Sequence, residues 1–133
     1  MANWDDVSRL ALALPDTVEL PDAQGLKWEV HGKYFAYERP MRARDIADLG
    51  AANVPTGPIL GLRVADLDDK RGLIGTNPAV FFTIPHYAEY PAVLALLDHI
   101  ELDQLEEVLT DAWLCRAPKR LAAAFLATQP PAP

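Results

Sequence analysis

The uninterrupted apolar run Val80-Phe81-Phe82-Thr83-Ile84, closed by Pro85, restricts what this chain can fold into more than any other stretch. Its residues are β-branched or aromatic and carry no charge, so it reads as a strand buried on both faces in the middle of a sheet. Proline cannot donate to a sheet ladder, so Pro85 marks the strand end and puts His86 and Tyr87 at its rim. The remaining elements must supply neighbouring strands and helices to cover both faces. At 133 residues, half of them hydrophobic, the chain has enough material for one such domain without disulfide staples.

The flanking segments show the two periodicities that a mixed α+β domain requires. Asn3 caps a helix with Asp5 and Asp6 in its first turn, and Trp4, Val7, Ala11 and Leu14 recur at helical spacing until Pro15 ends it. Residues 15–26 contain Pro15, Pro21 and Gly25 and read as an irregular connection. Two alternating stretches, 27–30 and 34–39, flank His31-Gly32-Lys33 and predict a hairpin with one polar face. Within residues 40–58 the segment 42–49 makes one or two helical turns ended by Gly50, and 53–58 is loop. A strand follows over 59–64, then a charged turn at Asp66 that opens a short helix ending near Gly75. Residues 93–98 read as a further strand. Asp103 and Glu106 form a capping-box-like pair before a helix with Leu105, Val108, Leu109 and Ala112 on its apolar stripe. Pro118 starts a last helix, in which Leu121, Phe125 and Leu126 pack, and residues 129–133 form a proline-rich tail expected to fray. The sum is α+β, an antiparallel sheet of about five strands with helices packed on one face, in a single domain.

Charge and residue inventory narrow the function classes. The formal net charge is −7. That charge is unfavourable for loose attraction to nucleic acid or to an anionic membrane. It is unevenly spread: 98–111 hold six acids and no base, whereas 27–45 hold Lys27, Lys33, Arg39, Arg42 and Arg44 against three acids. No apolar run approaches a membrane span, and Asp5 and Asp6 stand where a signal peptide needs positive charge, so a cytoplasmic protein is expected. Cys115 is the single cysteine and reads as a packing residue. His31, His86 and His99 lack paired ligand spacing, and no metal or cofactor is expected. Asp66, Asp68 and Asp69 miss the later glutamate of a calcium loop and stand beside Lys70-Arg71. Ser8, the only serine, has no activating base beside it, and no glycine-rich phosphate loop is present. No catalytic residue is assigned.

Several stretches together resemble the MmcQ/YjbR family: Phe81-Phe82-Thr83-Ile84-Pro85-His86-Tyr87 with Tyr90-Pro91-Ala92-Val93-Leu94, Trp28-Glu29-Val30-His31-Gly32-Lys33 with Phe35, Asp66-Leu67-Asp68-Asp69-Lys70, and Leu109-Thr110-Asp111-Ala112-Trp113-Leu114 before Ala117-Pro118. The resemblance implies a compact fold of the frataxin (CyaY-like) kind with a double-wing arrangement, and a DNA-binding role with no established catalytic residues. On that reading Lys27, Lys33, Arg39, Arg42, Arg44 and Arg63 neutralise phosphates, and Tyr34 and Tyr37 stack on bases of a single strand. Two alternatives stand beside it. One is a small-ligand or enzyme pocket around His86, Tyr87, Tyr90 and Trp113, with Lys33 and Arg63 at its rim. The other is a protein-interaction domain presenting the acids of 98–111, Glu106 and Glu107 among them.

Overall fold

The computed structural model describes residues 1–129, so the proline tail expected to fray lies, apart from Gln129, outside the described residues. Helix α1 spans Trp4–Leu12, and its cap is reciprocal: the Asn3 side chain accepts from the Asp6 amide while the Asp6 carboxylate accepts from the Asn3 amide, each at 3.0 Å. Strands β1 (Thr17–Asp22), β2 (Gly25–Val30) and β3 (Lys33–Glu38) follow as consecutive hairpins. The β2–β3 turn places His31 and Gly32 at φ 48° and 80°, the double left-handed geometry that matches the twist of paired strands. After α2 (Ala43–Leu49) come β4 (Ile59–Arg63), α3 (Leu67–Thr76), the two-residue β5 (Phe81–Phe82), a 3-10 turn Pro85–Tyr87, β6 (Ala92–Leu96), α4 (Leu102–Arg116) and α5 (Lys119–Ala127).

The six strands form one sheet, fully antiparallel, in the order β1-β2-β3-β4-β6-β5. It has one strand more than expected. The addition is β1, in the stretch read as an irregular connection: an edge strand tolerates Pro21, and only one side of it needs ladder bonds. Of the apolar run at 80–84, Val80, Phe81 and Ile84 are buried as expected, but Phe82 is half-buried, Thr83 is exposed, the strand ends at Phe82 rather than at Pro85, and it is not central. It pairs only with β6, at the opposite edge, and its burial comes from both faces being covered. Val80 and Phe81 belong to the main core, and Ile84 packs with Tyr87 and Leu94 on the other side. The centre of the sheet is β3, β4 and β6.

Alternation along β6 divides the two cores. Val93, Ala95 and the following Leu97 face the large helices, and Ala92, Leu94 and Leu96 face away. The helix-side core holds Val7 and Ala11 of α1, Trp28, Phe35, Leu60 and Leu62 of the sheet, and Leu105, Val108, Leu109, Ala112 and Trp113 of α4. Leu121 and Phe125 of α5 pack against it, whereas Leu126, expected to pack, is exposed. The opposite face is covered only in part, by Met41, by Leu49 of α2 and by the 3-10 turn. Helix α4 is capped by the backbone at Glu101 rather than by an Asp103–Glu106 box; the Asp103 carboxylate accepts instead from the neighbouring Gln104 amide. No described helix is long and apolar enough to cross a membrane.

Candidate nucleic-acid interface

All four tyrosines of the chain meet on the thinly covered face of the sheet. Tyr34 and Tyr37 are three residues apart and would face opposite ways in a regular strand. A bulge in the β2–β3 register intervenes: Trp28 pairs with Ala36 but Glu29 with Tyr34, so Phe35 is an extra residue and both tyrosines emerge on one face. Their rings meet edge-on at 5.4 Å, and Tyr87 and Tyr90 meet similarly at 5.1 Å. The hydroxyls join the two pairs, Tyr37 to Tyr87 at 2.9 Å and Tyr34 to Tyr90. Gly61 on β4 lies opposite Tyr37, and a Cβ there would collide with its ring, which explains a glycine inside a central strand.

Cationic side chains hold this cluster in place. The guanidinium of Arg63 sits 5.1 Å from the Tyr90 ring centroid and 5.8 Å from that of Tyr34, and donates to the Tyr90 hydroxyl and the Pro91 carbonyl. Arg116, at the end of α4, also lies 5.8 Å from the Tyr34 ring centroid and donates to the Tyr34 carbonyl at 3.2 Å. Lys70 was read as part of a solvated turn, yet it is 3% exposed, and its Nζ donates to the carbonyls of Tyr87 and Tyr90 at 2.5 and 2.9 Å. Burial lowers its pKa, with Glu89 opposing. The rest of that turn behaves as expected: Asp66 caps α3, and Asp68 pairs with Arg71 in the open.

The six candidate phosphate contacts do not act as one set. Arg39 is 1% exposed and pairs at 2.9 Å with Asp45, also 1% exposed, so it is structural rather than available to a ligand. Its Nη2 approaches Asp45 without a well-aligned hydrogen bond, while Nε donates to the Tyr87 hydroxyl and Nη1 to the Pro40 carbonyl. Burial pushes the Asp45 carboxyl up, but the Arg42 amide and the Arg39 guanidinium outweigh it and hold it below the ordinary value. Lys27 pairs with Glu29 at 3.2 Å and Arg44 with Asp48 at 3.8 Å. Arg63 is engaged by the tyrosines. Lys33 and Arg42 are exposed and make no ion pair among the described residues. A cleft of about 320 Å³ lies between Lys27, Tyr34, Tyr37, Glu38, Arg42 and Tyr87.

The alternative grouping of His86, Tyr87, Tyr90 and Trp113 is divided by the sheet. Trp113 is fully buried in the helix-side core, where its indole N–H donates to the Pro15 carbonyl at 3.0 Å, and Tyr87 and Tyr90 lie in the opposite core. His86 is exposed beside Tyr87. Sequence reading missed Lys70 and Arg116, whose partners are distant in the chain, and Asp45, whose partner Arg39 is only six residues away but meets it through the turn into α2. The signal that was present was Gly61 within an otherwise apolar strand.

The tyrosine cluster has a measurable titration. Burial and the bond to Tyr87 push the Tyr37 phenol well above the ordinary 10, and burial with the Tyr34 bond pushes Tyr90 up to about 12. A raised folded-state value means the folded chain keeps protons that the unfolded chain has lost. The resulting stabilisation is therefore complete below pH 10 and falls as pH rises toward 12 and beyond. Melting temperature is expected to fall across that window, with phenolate absorbance appearing late; Tyr37→Phe and Tyr90→Phe should each remove part of the late step. A tyrosine titration complete near pH 10 with no loss of stability would contradict the hydroxyl pairing.

Comparison with known proteins places this geometry among relatives. The family model YjbR matches residues 12–115. The uncharacterized protein Rv2570 of Mycobacterium tuberculosis (strain ATCC 25618 / H37Rv) is 47% identical over 129 residues, covering 96% of this chain and 98% of the relative. The uncharacterized protein Mb2600 of Mycobacterium bovis matches to the same extent. Among solved structures, Deinococcus radiodurans protein DR2400, with family-model domain DUF419, shares the fold at a TM-score of 0.61 and 21% identity, over 86% of this chain and 78% of that one.

Proposed function

The chain belongs to the YjbR family, and from that premise we propose that it is a non-catalytic DNA-binding domain that works through the tyrosine face of its sheet. The reading is carried by the gathering of the tyrosines on one face of the sheet, beside a cleft where Lys27 and Arg42 stand with Asp22 and Glu38, while the acidic helix lies on the other. The acids of α4, among them Asp103, Glu106 and Glu107, lie on the outer surface of the helix layer. The cleft between Lys27, Arg42 and the tyrosines opens on the other side. A helix is about 10 Å across, comparable with the Debye length in physiological salt, so those acids are largely screened from a ligand on the tyrosine face. Arg42 takes a phosphate there, whereas Lys33, paired with the helix-side Val30, points to the opposite face of the sheet. Lys27 and Arg44 exchange weak surface pairs for phosphate contacts, since such pairs contribute no more than about 1 kcal/mol. Tyr34 and Tyr37 line the cleft, but their rings are engaged by each other, by Arg63 and by Arg116, so binding rests on phosphate contacts rather than on base stacking.

Fluorescence anisotropy with labelled single-stranded and duplex oligonucleotides at two salt concentrations tests this. Binding is expected at low salt, with log K for the single strand falling against log salt by about 0.7 for each phosphate neutralised. The Arg42→Ala variant should flatten that slope by about 0.7, one phosphate's worth. Absence of binding to both forms at low salt overturns the proposal.

A further inference from the structure

A cavity of about 610 Å³ lies away from the tyrosine face, between α3 and α4. That is the size of a small-molecule site. Its floor is apolar, formed by Val64, Leu73, Val108 and Leu114, and Gly72 on α3 leaves open space where a side chain would intrude. Two carboxylates, Asp69 from α3 and Asp111 from α4, stand on its walls, and neither has a cationic partner within 4.0 Å among the described residues. Arg63 borders the cavity but spends its guanidinium on Tyr90 and the Pro91 carbonyl.

We propose that this cavity binds a small organic cation with a hydrocarbon body, its ammonium group between Asp69 and Asp111 and its apolar part on the Val108–Leu114 floor. An anion would meet two carboxylates and a neutral hydrocarbon would leave them unanswered; an amine with an alkyl portion satisfies both surfaces at once. The acids are already under mutual pressure. Burial raises the Asp111 carboxyl above its usual value, and Glu107 and Asp69 push it further. Cys115, at the same wall, is raised by burial and then by Asp111 and Asp69, against the pull of Arg63 and Arg116. A bound cation relieves that repulsion, whereas surrounding residues of this chain do not.

The test uses hexylamine, a cation at neutral pH, against hexanol and hexanoate of equal chain length and against methylamine, with binding followed by amide chemical shifts of the whole chain. Hexylamine is expected to bind in the millimolar range and to shift amides around Val64, Leu73, Val108 and Asp111. Hexanol, hexanoate and methylamine should each bind about tenfold more weakly or not at all. Asp111→Asn and Asp69→Asn should each weaken hexylamine by about tenfold, the share of one charged hydrogen bond. Folding is checked independently: Asp111→Asn removes a carboxylate whose ionisation is disfavoured in the folded state, so its melting temperature at neutral pH should equal or exceed that of the parent. Equal binding of hexylamine, hexanol and hexanoate, or shifts confined to another part of the chain, would overturn the proposal. So would unchanged hexylamine affinity in both variants. None of these outcomes bears on DNA binding at the tyrosine face.

Discussion

Replacing Asp45 by alanine is expected to destabilise the fold by about 3–5 kcal/mol, because it leaves the Arg39 guanidinium buried without its counter-ion. Both side chains are within 2% of complete burial, so water cannot take over the lost interaction. The loss is a large part of the total stability of a domain this size, which is about 5–15 kcal/mol. The carboxylate also accepts from the Arg42 amide at 2.9 Å, so the start of α2 loosens with it. Urea denaturation measures the effect. Arg39→Met/Asp45→Leu, which removes both charges and refills the space, should recover most of the loss, as replacing whole buried pairs by apolar residues commonly does. The pH dependence has a fixed sign. The folded-state carboxyl sits below the ordinary 3.8, so the stability it contributes is present above that value and is lost as pH falls through the folded-state one. Asp45→Ala should lose that part of the acid limb. If Asp45→Ala unfolds at the parent urea concentration, the ion pair is not the fastening described, and Arg39 returns to the set of phosphate contacts.

The second large effect is at Trp113. Its alanine variant should lose about 3–5 kcal/mol, the usual range for deleting a buried aromatic side chain. The indole is fully enclosed, packs tilted at 5.0 Å against Phe125 of α5 and ties α4 to the Pro15 carbonyl just after α1, so α4, α5 and the segment following α1 are all anchored by it. His86→Ala, by contrast, should change stability by no more than about 0.5 kcal/mol, the ordinary range for an exposed side chain away from special features. Thermal and urea unfolding of the two variants side by side separate the readings. Similar small losses at both positions would restore the grouping of Trp113 with His86 in one pocket.

Why the sequence placed these residues wrongly is a matter of range. Local chemistry was legible: the Asn3 cap, the helical spacing of Val7 and Ala11, the His31-Gly32 turn between alternating stretches, and Gly50 at the end of α2 all act within a few residues. Burial of Val80, Phe81 and Ile84 was legible as well, but not their place at the sheet edge. An apolar run records that both faces are covered, and a helix layer on one side with a 3-10 turn on the other covers them as well as flanking strands would. Strand β1 was hidden because Pro21 and Asp22 are acceptable at an edge and unfavourable anywhere else.

The candidate interface shows the same boundary more sharply. Periodicity puts Tyr34 and Tyr37 on opposite faces; the single extra residue at Phe35 puts them together. Arg39 counts as one more base until Asp45 closes over it, and Lys70 as a surface charge until the carbonyls of Tyr87 and Tyr90, 17 and 20 residues on, converge on its ammonium. What the sequence determined by itself was every α-helix and strand except the edge strand β1, and the family, since caps, turns and hydrophobic spacing are short-range and additive along the chain. The tertiary structure alone decided which charges are free and which rings share a face. A pair's availability depends on what is packed above it, and a one-residue bulge reverses every side chain beyond it.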